Sequence, residues 1–334
     1  MKKFINKPEN FVDEMLEGIY ASHLQQVMFV ANDLRCYVRK EPVKGKVGIV
    51  TGGGSGHLPL FLGYVGEGML DGCAVGGVFQ SPSSEQILEV TKAVEQGAGV
   101  LYLYGNYTGD ILNFDMAAEM ADIEGIKTAT VVGNDDVASA IKGEENKRRG
   151  VAGIFFLYKA AGAAAAEGMS LEEVKRVAEK AKANVRTMGV AFTPCIVPEV
   201  GKPSFTIGDD EMEIGMGIHG EPGIRRGKLL PADKIVDEMV YPIIKDLPFE
   251  KNNEVAVLIN GLGATPKEEL YILARRTLHI LEEEGLKVFH VYVGEFATSM
   301  EMAGASISLC KLDEELKRLI AAPAFTPFFS QKQL

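Results

Sequence analysis

Short apolar runs of strand length alternate with longer runs of helical spacing along most of this chain, and that alternation leaves few folds open. Residues 46–51, 73–79, 100–103 and 127–132 read as buried strands, with a weaker strand signal around Phe155. Residues 58–69, 84–95, 110–123 and 137–142 read as the intervening helices. Strand and helix in alternation predict a parallel sheet with helices on both faces. Upstream, residues 10–39 form one or two opening helices; downstream, 150–183 is alanine-rich and helical, with Ser170 and Glu173 spaced as a capping box. The later half shows extended pieces at 204–207 and 211–216, then strands at 254–259, 286–293 and 306–311. Helices at 231–244, 266–284 and 313–320 complete it.

At 334 residues the chain exceeds the usual reach of one hydrophobic core. Pro194, Pro198, Pro203 and Gly201 interrupt the pattern, which puts a boundary near residue 190. The expectation is two α/β domains, 1–190 and 191–334, each a mostly parallel or mixed sheet flanked by helices.

In open α/β sheets ligands bind at the carboxyl ends of strands. The loops there that are rich in Gly, Asn, Asp and His are 52–59, 80–84, 105–110, 215–223 and 260–265, and they are expected to converge. The first, Gly52-Gly53-Gly54-Ser55-Gly56-His57-Leu58-Pro59, reads as a strand-to-helix turn. Its glycines would bare the backbone, and the next helix's first N–H groups would face a ligand oxygen. It fails as a Walker A loop, as a dinucleotide G-x-G-x-x-G and as a hydrolase elbow, because His57 stands where each needs another residue. That histidine points to proton transfer with a bound hydroxyl.

Asp110, near a helix start, suits either an N-cap or, ionised, acceptance from a ligand hydroxyl and the sharing of a proton with His57. His219 lies in Gly217-Ile218-His219-Gly220-Glu221-Pro222-Gly223, where flanking glycines leave its ring exposed. His23, His279 and His290 fall in ordinary helical or strand runs. Two histidines and an aspartate would also suit a metal, but no H-x-H, H-E-x-x-H or nearby third ligand accompanies them.

Composition narrows the partners. With 46% hydrophobic and 24% charged residues the chain is an ordinary globular one. A formal net charge of -11 disfavours nucleic acid and anionic membranes. The N-terminus lacks an apolar signal core and the apolar stretch 151–166 is too short to span a bilayer, so a cytoplasmic location is expected. Cys36, Cys73, Cys195 and Cys310 are scattered without a C-x-x-C pair and read as reduced core residues.

The segments GGGSGH (52–57), NYTGDILNF (106–114), GKPSFT (201–206), GIHGEPG (217–223) and NGLGATP (260–266) together resemble the sugar-binding K subunits of dihydroxyacetone (glycerone) kinase, in that family's order and over almost the whole chain. The resemblance implies an α/β homodimer that acts as an alcohol-group phosphotransferase only with a partner. His219 would capture the ketone carbonyl as a hemiaminal, His57 would accept the proton of the attacking hydroxyl, and Asp110 would hold hydroxyls. Gly54, Ser55, Gly56, Ser81 and position 105 would contact the ligand. Capture of a carbonyl would exclude glycerol and fix the hydroxyl for transfer.

The resemblance implies no cofactor or metal in this chain. ADP or ATP with Mg²⁺ would sit in a separate helical L subunit, and a phosphotransfer-system M subunit would recharge ADP. No such helical domain follows before Leu334. Leu58 and Gly105 depart from the family's usual Glu and Lys, which leaves room for a four-carbon ketose such as erythrulose. A third alternative is a coactivator that binds dihydroxyacetone without passing phosphate, against which the joint presence of His57 and Asp110 speaks.

Overall fold

The computed structural model describes residues 2–334. In chain order, with helices and strands numbered separately, it runs α1 (Phe11–Ser22), β1 (Val27–Val30), β2 (Asp33–Arg39), β3 (Gly48–Ser55), β4 (Gly72–Val78), α2 (Ser84–Val94), β5 (Val100–Gly105), α3 (Thr108–Ile123) and β6 (Thr128–Gly133). Then follow α4 (Ile154–Ala166), α5 (Leu171–Ala183), β7 (Val185–Ala191), β8 (Glu211–Ile214), β9 (Arg225–Lys228) and α6 (Ala232–Asp246). The last elements are β10 (Glu254–Gly261), α7 (Lys267–Glu283), β11 (Lys287–Gly294), β12 (Gly304–Leu312), α8 (Glu314–Ala321) and a short terminal hairpin.

These form two compact α/β units, but not as consecutive segments. Unit 1 comprises Met1–Val132, Leu157–Lys180 and Arg318–Leu334; unit 2 comprises Gly133–Phe156 and Ala181–Lys317. A single boundary near residue 190 is therefore corrected: it falls inside β7, which unit 2 needs between β12 and β8. The prolines that suggested the boundary lie in a loop within unit 2.

Unit 1 carries a six-stranded sheet in the order β1-β2-β4-β3-β5-β6. β3 pairs in parallel with both β4 and β5, while β2 runs antiparallel to β1 and β4. One face packs against α2 and α3 around buried Ile87, Val90, Val94, Tyr102, Tyr104, Phe114 and Ala117. Phe114 sits between two tyrosines, stacked on Tyr104 with centroids 4.0 Å apart and edge-on to Tyr102 at 5.2 Å. The Ser83 hydroxyl and the Gln86 amide cap α2 reciprocally.

Unit 2 carries a second six-stranded sheet, β11-β10-β12-β7-β8-β9. Only β10 and β11 are shown running in parallel; the other pairs are antiparallel. Helices α6 and α7 cover it, burying Ile235, Val236, Met239 and Val240 with Leu270 and Ile280 against Val255, Val257, Ile259 and Ile307.

Several expected elements differ. The opening region is one helix and a hairpin, because Ala31 and Asn32 both adopt φ 55° and close a two-residue turn between β1 and β2. Residues 58–69 are irregular apart from a single 3-10 turn, Leu62–Tyr64. Pro59 removes a backbone donor, and three glycines follow it within ten residues. Residues 60–62, 64–65 and 69–70 are moreover buried on all sides rather than along one stripe. Residues 137–142 form turns and bends and no helix, since Asp136 takes the Ala138 N–H at 3.0 Å and the Val137 N–H goes to Thr187. Phe155 belongs to α4, a helix so uniformly buried at its start that its apolar run carries no period. Residues 204–207 form no strand, and β7 and β9 are strands that apolar periodicity did not reveal.

Candidate functional site

The triple glycine of β3 is shaped by packing rather than by a turn. Gly52, Gly53 and Gly54 lie within the strand, and of this loop's glycines only Gly56 takes a positive φ, 101°. A Cβ at Gly53 would come within 2.2 Å of the Phe61 ring, and one at Gly54 within 2.7 Å of the Phe79 and Gln80 backbone. The glycines let the 58–61 and 79–82 loops close onto the strand end. No helix begins after this loop, so the expected cradle of helix N–H groups is absent there.

What the loop does deliver is His57, buried and walled by two aromatic rings. Phe79 stacks on it with centroids 4.9 Å apart, and Phe61 meets it edge-on at 6.1 Å. Ser55 ties the loop to its neighbour: its hydroxyl donates to the Gly76 carbonyl at 2.9 Å, and its carbonyl accepts the Phe79 N–H at 3.1 Å.

Asp110 arrives from the third strand end. It is the third residue of α3 and is buried. The N-cap position is Tyr107, which makes no side-chain cap. Asp110 is thus a first-turn carboxylate, favoured by the helix dipole. Its charge adds to burial in pushing the Cys73 thiol up, and adds to burial and Asp115 in pushing the Tyr104 phenol up. The 80–84 loop touches this turn. A Cβ on Gly109 would lie 2.6 Å from the Ser81 hydroxyl, and the Asn113 amide donates to the Pro82 carbonyl at 2.7 Å. Gly54, Ser55, Gly56, His57, Ser81, Gly105 and Asp110 all belong to unit 1, at or just beyond the carboxyl ends of β3, β4 and β5.

His219 belongs to unit 2. Its loop closes tightly: Gly220 N–H reaches the Gly217 carbonyl and Gly217 N–H the Glu221 carbonyl, both at 3.0 Å, with Gly220 at φ 85°. The ring is 22% exposed and not bare, because Glu221 Oε1 lies 2.9 Å from Nδ1. Burial acts to raise the Glu221 pKa, but the hydrogen bond and charge of His219, its own backbone and Arg149 outweigh that and hold it at about 2. The 201–206 loop touches this turn, since a Cβ on Gly220 would stand 3.3 Å from Ser204 and Phe205. Ser204 continues to Cys195 and Ser299, and Ser299 N–H bonds the Leu262 carbonyl of the 260–265 loop at 2.9 Å. The predicted loops thus gather in two groups, one per unit.

Periodicity and motif reading missed Phe79, Phe61, Glu221 and Arg149. For Glu221 a signal existed: a carboxylate two residues past a histidine on a glycine-framed turn. For Arg149, far away in sequence, none did. All four cysteines are free and buried. Among the described residues no cluster of three or more His, Cys, Asp or Glu is placed to hold a metal, and no helix is long and apolar enough to cross a membrane.

The Dak1 domain model matches residues 17–328. A dihydroxyacetone-binding subunit DhaK of a PTS-dependent dihydroxyacetone kinase from Listeria innocua is 48% identical, over 98% of this chain and 99% of that protein. A D-erythrulose kinase from Mycolicibacterium smegmatis is 43% identical over 99% of this chain, which spans 57% of its length. The fold superposes at TM-score 0.90 on the dihydroxyacetone kinase of C. freundii in complex with AMP-PNP and Mg²⁺ (31% identity, 99% of this chain, 61% of that one). It superposes equally, at 0.90, on a dihydroxyacetone kinase operon co-activator (34% identity, 96% and 98%). Matched by one domain model over most of its length and by a DhaK subunit over 98% of it, the chain belongs to the Dak1 domain family.

Proposed function

We propose that the chain is the ketose-binding subunit of a dihydroxyacetone-type kinase. His219 captures the ketone carbonyl, while Asp110 and the backbone of Gly54, Ser55 and Gly56 hold the hydroxyls with Ser81. His57 takes the proton of the hydroxyl that attacks phosphorus. The phosphoryl donor, ADP or ATP with Mg²⁺, belongs to a separate helical L subunit, with a phosphotransfer-system M protein where the carrier is ADP. The observation that carries this reading is the close approach of the segments at the ends of β3, β4 and β5, which carry one buried histidine and one buried carboxylate, on a chain nearly half identical to a DhaK subunit.

Because Gly105 offers no side chain for a ligand, a four-carbon ketose is a second candidate, and the erythrulose kinase relative supports testing it. The experiment mixes this chain with a helical nucleotide subunit, a phosphoryl source and a panel of short ketoses and polyols. Transfer to a ketose and none to glycerol is expected. His57→Ala is expected to keep binding yet slow transfer by about a hundredfold or more, as the loss of a general base does. His219→Ala is expected to lose the preference for ketose over glycerol. Normal ketose binding without transfer to any of them would replace this reading with a coactivator.

A further inference from the structure

The carboxylate beside His219 touches that residue twice. Glu221 Oε1 lies 2.9 Å from Nδ1, and Oε2 accepts the His219 backbone N–H at 3.0 Å. Behind it, Arg149 stands 3.9 Å from Oε2. Arg149 is itself fixed, through Nε to Asp136 at 2.9 Å and through Nη2 to the Gly215 carbonyl at 2.9 Å. A Cβ at Gly217 would fall 2.1 Å from Glu221 Oε2 and 2.5 Å from Arg149 Nη1, so the glycine keeps room for the pair. An ionised carboxylate accepts hydrogen bonds and cannot donate them. In the neutral ring the proton therefore sits on Nδ1, and the lone pair on Nε2.

We propose that Glu221 is a positioning residue for ketose capture, holding His219 as the Nδ1–H tautomer so that Nε2 is the nucleophile, with Arg149 and Gly217 keeping the carboxylate in place. This rests on the reading of the chain as a ketose-capturing subunit. In the step itself the Nε2 lone pair forms a bond to the carbonyl carbon and the π pair of C=O moves to oxygen. The ring becomes positive, facing a fixed negative charge that stabilises it as it forms. Nδ1 then releases its proton to solvent and the new alkoxide takes one up. The sum is addition of N–H across C=O, with no oxidant or reductant.

The test uses the full chain. Imidazole nitrogen chemical shifts by NMR report the His219 tautomer, and calorimetry reports dihydroxyacetone and glycerol affinity. Glu221→Ala is expected to mix the tautomers and weaken ketose affinity tenfold or more, leaving glycerol affinity unchanged. Glu221→Gln, whose amide oxygen still accepts from Nδ1–H, is expected to recover the tautomer and part of the affinity. A natively folded Glu221→Ala with unchanged tautomer and ketose affinity overturns the proposal. So does an Nε2–H tautomer in the unmodified chain, which needs no variant to fold. If His219→Ala also leaves ketose affinity untouched, the capture reading itself has failed; if His219→Ala abolishes it while Glu221→Ala does not, only the role of Glu221 has.

Discussion

The imidazole of His57 lies face to face on the ring of Phe79, centroids 4.9 Å apart and planes 19° from parallel. Phe79 itself sits at φ 58°, a left-handed backbone that a bulky residue adopts at a cost of about 1–3 kcal/mol. Its N–H, bonded to the Ser55 carbonyl at 3.1 Å, ties that backbone to the strand end that carries the histidine. A conformation that most sequences would fill with glycine thus holds a flat wall against the proposed proton acceptor. Phe79→Leu keeps an apolar side chain and removes the stacked face, a contact of about 0.5–1.5 kcal/mol. Phosphate transfer is expected to slow by about tenfold if that contact is felt in the transition state. Ketose binding in the same assay is expected to hold, and an unchanged transfer rate would remove Phe79 from the site.

Gly109, the second residue of α3, meets the 80–84 loop of unit 1. An alanine there would press its methyl to 2.6 Å from the Ser81 hydroxyl. At this first-turn position the helix preference for alanine over glycine is set against the shift the methyl forces on Ser81, so the unfolding midpoint of Gly109→Ala is expected to change little. Ketose affinity is expected to fall by about tenfold, the worth of one displaced hydrogen bond. Titration calorimetry alongside thermal unfolding separates the two effects, and unaltered affinity would detach Ser81 from the ligand.

Phe114 joins the helix bearing Asp110 to the strand that precedes it, and it is fully buried between Tyr102 and Tyr104. Phe114→Ala is expected to destabilise the fold by about 3–5 kcal/mol, measured by urea unfolding. A loss under about 1 kcal/mol would mean that α3 is held by something else.

Lys159 supplies a pH test. Its ammonium is buried and donates to the Ala322 carbonyl at 2.5 Å and the Leu319 carbonyl at 3.4 Å, closing the end of α8. Burial lowers its pKa from 10.5 to about 8. Below about 8 both folded and unfolded chains carry the proton and the burial cost is felt in full. Between about 8 and 10.5 the folded lysine releases its proton while the unfolded one keeps it, so stability rises with pH across that window. Relative to Lys159→Met, the unmodified chain is expected to gain up to about 3 kcal/mol between pH 7 and pH 11. A difference flat with pH, in unfolding curves taken at both ends, would contradict it.

Much of the architecture was legible because the signal is local. Strands β3, β4, β5 and β10 and helices α2, α3, α6 and α7 declare themselves through runs of apolar residues at period 2 or 3.6, bounded by glycine, proline and caps. The β1–β2 hairpin was not, since Ala31-Asn32 is an uncommon pair for its turn and the flanking apolar residues also fit a helix. Residues 58–69 read as a helix because their apolar positions also fit a spacing of 3.6, although in the folded chain those side chains are buried without lining one stripe. In the site, His57, Asp110 and His219 stood out as titratable groups in glycine-rich loops. Phe79 did not, because nothing in its neighbourhood marks a phenylalanine at positive φ.

By itself, then, the order of residues settled which chemical groups this protein owns and the loops that carry them, because motif spacing and apolar period act over a few neighbouring positions. Only the folded chain decided that Phe79 would floor His57, that Arg149 would back Glu221 across more than seventy residues, and that Gly52 to Gly54 serve packing more than flexibility. Those outcomes depend on which side chains are brought within a few ångströms by the closing of sheets and loops, and contact of that kind has no trace in local sequence.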